Sequence, residues 1–195
     1  MLIDNGARRH ARSDDGVSLD PSQIVMGLHW DPPQEDAAPD DLDALCVLLD
    51  AQGGVVEVIH PDHPRNLDGS VVHTGDSRTG ASAWDDERIF VFLEALPAAV
   101  TELAFVVASA TGRSLNEVRG AAFHVTDHVT EREIVCRELT AFDRTAHCVA
   151  SLHRGRDGWR ICTAATRDCG EFLDEVLLRI GNGKTAEARD GARRS

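Results

Sequence analysis

From Ser13 to Pro64 the chain contains neither lysine nor arginine, yet the same window holds twelve carboxylates. Over all 195 residues, 33 acidic and 20 basic side chains give a formal net charge of −13. The window therefore carries −12 by itself and the remainder is close to neutral. A nucleic-acid binder needs clustered Lys and Arg to replace counterions on phosphates, and no such cluster is present. The same deficit opposes adsorption to an anionic membrane surface. No stretch approaches the ~20 apolar residues of a membrane helix, so no integral membrane segment is expected. Arg8, Arg9 and Arg12 are not followed by the apolar region of an export signal, and a cytoplasmic location is expected. The five cysteines, Cys46, Cys136, Cys148, Cys162 and Cys169, are odd in number and form no CxxC pair. That disfavours a disulfide framework or zinc site and favours reduced thiols. Lysine occurs once, at Lys184, a bias that reads as genome composition. Also missing are GxSxG, a Walker loop, HExxH and GxGxxG, so the sequence offers no enzyme signature.

What is present is 42% hydrophobic content in short alternating runs. SQIVMGLHW places Ile24, Met26, Leu28 and Trp30 on one face, and DLDALCVLLD does the same for Leu42, Ala44, Cys46 and Leu48. GVVEVIH, RIFVFLE, ELAFVVAS, AAFHVTD, EIVCREL, HCVASLH and GWRICTAA follow, separated by Gly, Pro, Asp and Asn. Many short strands with turn signals between them predict a mainly β fold, a two-sheet β-sandwich. DAQGG at 50–54 and HRGRDGW at 153–159 have hairpin-turn chemistry. Two segments carry helical patterns. SLNEVRGA at 114–121 predicts one short central helix, with Ser114 and Glu117 at capping-box spacing. Residues 171–180 predict a C-terminal amphipathic helix, because Phe172, Leu173, Val176, Leu177 and Ile180 share a face and Gly181 follows as a stop. The expected organisation is a flexible N-terminus over 1–12, one sandwich domain over 13–181 and a disordered polar tail over 182–195.

The chemistry concentrates in DGSVVHTGDSRTGASAWDDERIFVF, residues 68–92. Gly69, Gly75 and Gly80 lie among Asp68, Asp76, Asp85, Asp86 and Glu87, immediately before an apolar strand. Such a loop can fold tightly and turn several oxygens inward, as calcium requires. It is not an EF-hand: Arg78 and Gly80 stand where that loop needs oxygen ligands, and the flanks are strands. A second acidic pair, Asp41 and Asp43, opens the DLDA strand, and period two puts both carboxylates on one side. Like charges so close repel unless a cation or another partner lies between them.

The string VMGLHWDPP, DLDALCVLL, DGSVVHTGDSRTG and DDERIFVFLEALP resembles the TerD family, the tellurium-resistance and general stress proteins of bacteria. SLNEVRGAAFHVTD is similar to the family's helix and following strand, and EIVCRELTAFDRTAHCVASLHRGRDGWRI to its last hairpin. The likeness runs from about Val17 to Ile161. It implies a β-sandwich that binds calcium, Ca²⁺, through the acidic loop and the DLDA strand. The implied ligands are Asp41, Asp43, Asp76, Asp85, Asp86 and Glu87, with backbone oxygens from Thr79 and Gly80 and Asp68 as a weaker candidate. The chain departs from the family at Ser77, Ala83 and Trp84, where Asn, Asp and Gly are usual, and in TAATRDCGEFL near its end. One carboxylate fewer lowers charge density and should weaken affinity.

Three smaller features are weighed against this. His60, His63 and His73 could bind zinc or nickel, but Pro61 and Pro64 hold the chain extended and a polar loop is the expectation. His124, Thr126 and His128 alternate as a surface stripe, and Cys136 and Cys148 are expected to face each other across a hairpin. The expected function is non-enzymatic: calcium ions order the loop and shape a surface for protein partners in a stress-response assembly. Two alternatives stand. One is a degenerate member that has lost metal and acts only as an interaction module. The other is a metal-assisted phosphoesterase, which would need a positive phosphate clamp that Arg78 alone does not make.

Overall fold

In the computed structural model, residues 17–19, 22–163, 173–178 and 180 are described. The expected tails, 1–12 and 182–195, lie outside the described residues, as does Cys169. Among the described residues, eleven strands form two antiparallel sheets. The six-stranded sheet runs β1 (Val17–Leu19), β11 (Gly158–Cys162), β10 (Ala146–Gly155), β7 (Glu102–Ser109), β3 (Leu42–Leu49), β4 (Val55–Ile59). The five-stranded sheet runs β5 (Val71–His73), β6 (Glu87–Phe92), β2 (Gln23–His29), β8 (Ala122–Asp127), β9 (Glu133–Glu138).

The alternation read from the sequence sets the packing. Ile24, Met26, Leu28 and Trp30 are all fully buried, as are Leu42, Ala44 and Cys46, and they meet in one core shared by both sheets. The larger of these side chains, such as Ile24, Met26, Leu28 and Leu42, each contribute roughly 1.5–3 kcal/mol by leaving water. β3 is buried on its other side too, where Leu45, Val47 and Leu49 pack with Val106, Leu173 and Val176. Residues 173–178 are helical and bring those last two side chains onto the outer side of the six-stranded sheet. Among the described residues no helix is long and apolar enough to cross a membrane.

The two turn motifs close hairpins. Asp50 accepts from the backbone N–H groups of Gln52 and Gly54 at 2.9 and 2.8 Å between β3 and β4. Gly155 pairs with Gly158 at the β10–β11 turn. Three expectations need correction. The central helix is only a 3₁₀ turn over Leu115–Glu117, and the Ser114 side chain makes no capping bond. Leu115, Val118 and Ala121 are all buried in the core, but the backbone leaves the helical region at Val118 (φ −81°, ψ 120°), so the turn goes no further. Cys136 and Cys148 do not face each other, because β9 and β10 belong to different sheets. His124 is not a solvated stripe residue, since Asp85 folds onto it.

Candidate metal centre

One carboxylate oxygen from each of Asp41, Asp43 and Asp76 lies within 4.8 Å of the other two. Two elements bring them together. Asp41 and Asp43 alternate around Leu42, whose apolar side chain is buried in the core. Asp76 comes from the loop between β5 and β6, in the other sheet.

Asp41 is held by its neighbours. Asp40 receives both a bidentate pair from Arg113 Nη1, at 2.9 and 3.0 Å, and the Trp30 indole N–H on its carbonyl at 3.1 Å. The Asp41 carbonyl accepts from Ala110 N–H at 2.9 Å. Asp76 is held on both flanks. Gly75 N–H donates to His73 Nδ1 at 3.2 Å and Ser77 N–H to Glu87 Oε1 at 3.4 Å. Gly75 has φ 142°, which a side chain would resist. Arg78 Nε donates to Asp76 Oδ2 at 2.9 Å. That bond, with the charges of Asp76, Asp41 and Asp62, raises the guanidinium pKa, so Arg78 is a tethered cation beside the cluster.

The other expected ligands are turned toward protein donors. Asp86 Oδ2 accepts Trp30 N–H at 3.1 Å and Oδ1 accepts Ser82 N–H at 3.1 Å and the Ser77 hydroxyl at 3.3 Å. His29 Nδ1 lies 2.9 Å from Asp86 Oδ2 and 3.1 Å from the Trp84 carbonyl. Both are acceptors, so that nitrogen carries the proton. Asp85 is pinned between His124 Nε2 at 2.7 Å and Arg88 Nε at 2.8 Å. Burial works to raise the Asp85 pKa, but the bonds and charges of His124 and Arg88 outweigh it and hold the carboxyl below its ordinary value. Asp85 in turn raises His124. Gly27 makes room for this pair: a Cβ there would collide with His124 Nε2 and the Asp85 carboxyl.

Glu87 is buried and accepts Ala44 N–H at 2.6 Å and His73 Nε2 at 3.3 Å. Burial, more than any other influence, raises its pKa, and Asp43 adds to the rise. Gly80, at φ 59°, is buried against Trp30, while Thr79 is exposed. Asp68 lies apart in a local network with Asn66 and Ser70. His60 and His63 pair as an isolated bridge, with His63 on Glu57 at 2.8 Å, whereas His73 points into the core. The three histidines do not converge. The sequence reading thus missed His29, His73 and His124 as partners of the acidic loop. Their alternation with apolar neighbours in β2, β5 and β8 was the available signal, but it does not say which carboxylate each would meet.

A family profile described as TerD domain matches residues 15–171. The chain is 37% identical over 166 residues to tellurium resistance protein TerZ of Serratia marcescens, covering 80% of this chain and 85% of that one. It is 35% identical over 146 residues to tellurium resistance protein TerD of an Alcaligenes species, covering 70% and 76%. General stress protein 16U of Bacillus subtilis (strain 168) is 34% identical over 149 residues, covering 71% and 77%. The fold is also that of a crystallised homologue of the telluride resistance protein from Streptomyces coelicolor A3(2). That structure superposes with a TM-score of 0.66 at 24% identity, over 74% of this chain and 88% of the other.

Proposed function

The chain belongs to the TerD family, and on that premise we propose that it is a calcium-binding, non-enzymatic stress-response protein of the cytoplasm. In this reading it is a metal-ordered interaction module for protein partners. The observation that carries the metal reading is the convergence of Asp41, Asp43 and Asp76 from two different sheets. The donor set fits a hard cation: carboxylates bind in one- or two-oxygen mode, and water or backbone carbonyls complete a shell of roughly six to eight oxygens. Bound there, the cation supplies the positive charge that relieves repulsion among the three carboxylates. The chain's own residues do the rest. Arg113 and Trp30 hold Asp40 and so steady Asp41, and His73 and Glu87 steady the backbone around Asp76.

Calorimetric titration with Ca²⁺ and Mg²⁺ tests this. Wild type should release or absorb heat with calcium and gain melting temperature, and Asp43→Ala with Asp76→Ala should lose both responses. No heat and no melting shift at millimolar calcium would sink the metal reading. The degenerate-member alternative has one specific support: Asp85, Asp86 and Glu87 are already satisfied by protein donors. It expects the fold and partner binding to be indifferent to calcium and to that double substitution.

A further inference from the structure

Beneath the acidic cluster lie two ionisable side chains with no exposure at all, His73 and Glu87. We propose that they are positioning residues, a buried clamp that fixes the Asp76 loop against the strand bearing Asp43. The effect on cation affinity rests on the calcium reading above; the anchoring itself does not.

The geometry follows from where β4 stops. Pairing of β4 with β3 reaches only to Cys46, so the ladder offers Ala44 N–H no partner from β4. Glu87, first residue of β6, reaches across from the other sheet and accepts that N–H at 2.6 Å. Its second oxygen accepts Ser77 N–H at 3.4 Å. One carboxylate therefore joins the residue after Asp43 to the residue after Asp76. His73 completes the hold. Its Nδ1 accepts Gly75 N–H, on the other flank of Asp76, so Nδ1 carries no proton. The proton sits on Nε2 and is donated to Glu87 Oε2. Asp76 is thus straddled by two backbone anchors that trace to a single buried pair. Turning Glu87 toward a cation would strip the Ala44 and Ser77 donors of their acceptor, an outcome that a buried amide resists. This is why Glu87 is assigned to positioning and not to ligation.

Two histidine replacements separate the two nitrogens. His73→Asn keeps an acceptor near Nδ1, and His73→Gln keeps a donor near Nε2. The readouts are amide hydrogen exchange at Gly75 and Ser77 in cation-free protein, and calorimetric Ca²⁺ titration of the same samples. His73→Gln should speed Gly75 exchange and weaken calcium binding by about tenfold, and His73→Asn should leave Gly75 near wild type. Glu87→Gln should speed exchange at Ala44 or Ser77 before any cation is added. The clamp is overturned if Gly75 exchanges alike in wild type and both His73 variants. It is equally overturned if Glu87→Gln weakens calcium binding while Ala44 and Ser77 exchange unchanged, which is the signature of a ligand. Should wild type bind no cation, the calcium reading falls and the exchange data still decide the clamp. If a His73 variant fails to fold, the Glu87→Gln exchange pattern decides it.

Discussion

Asp85 shows how one carboxylate is diverted by its surroundings. Held between His124 and Arg88, it gives His124 a raised pKa and keeps its own below the ordinary carboxyl value. The charged pair stabilises the fold fully only when both groups are ionised. On the basic side its contribution is complete below the unfolded histidine value, about 6.5, and fades as pH rises through the higher folded value. On the acidic side it is complete above the unfolded carboxyl value, about 3.9, and is lost as pH falls through the lower folded value. An NMR titration of His124 should therefore show a midpoint above 6.5, falling back in Asp85→Asn; a midpoint at or below 6.5 in wild type would refute the pairing. His147 is a built-in contrast, since burial lowers its pKa while it stacks on Phe142. Of the acidic residues named from sequence, Asp41, Asp43 and Asp76 converge. Asp85, Asp86 and Glu87 meet protein donors: Ser77, Ser82 and Arg88 lie nearby in sequence, but His29, Ala44, His73 and His124 come from β2, β3, β5 and β8, and no linear spacing reveals those.

Among the elements, β2 is the clearest case of sequence becoming packing. Its even-numbered residues fill the core and its odd-numbered ones face outward, as the alternation implies. Gly27 breaks the outward row for a reason visible only in three dimensions. It pairs with Arg88 on one side and His124 on the other, and Asp85 lies over it. Gly27→Ala should cost about 1–3 kcal/mol of stability by forcing that pair aside, measurable by denaturant unfolding. A cost near zero would show that the Asp85–His124 contact moves freely. β6 and β8 were readable from period two over six residues, and β3 and β7 from near-continuous apolar runs buried on both faces. β1 and β5, three residues each, were not, since so short a run carries no period. The segment at 114–121 carries the pattern of one or two short helical turns. It stops after a single turn: Val118 N–H closes on the Leu115 carbonyl and the Val118 backbone is extended, while Leu115 and Asn116 N–H, which a helix start leaves unpaired, donate to the carbonyls of Arg144 and Phe142.

At the scale of the molecule, the lysine- and arginine-free window signalled cations but held only two of the cluster's three carboxylates. Asp41 and Asp43 lie inside it, whereas Asp76 lies beyond, on a loop hung from the opposite sheet. That placement has a kinetic meaning. Asp43 and Asp76 meet only after both layers have docked, so on the calcium reading an ion there is captured late and released early. Interactions absent from the transition state slow unfolding and leave the folding rate nearly unchanged. Saturating calcium should lower the unfolding limb of a chevron plot and leave the refolding limb in place, and a faster refolding limb would contradict this order of events. An ion across the two layers would thus set the lifetime of the native state, acting as a ratchet on a sandwich that assembles without it.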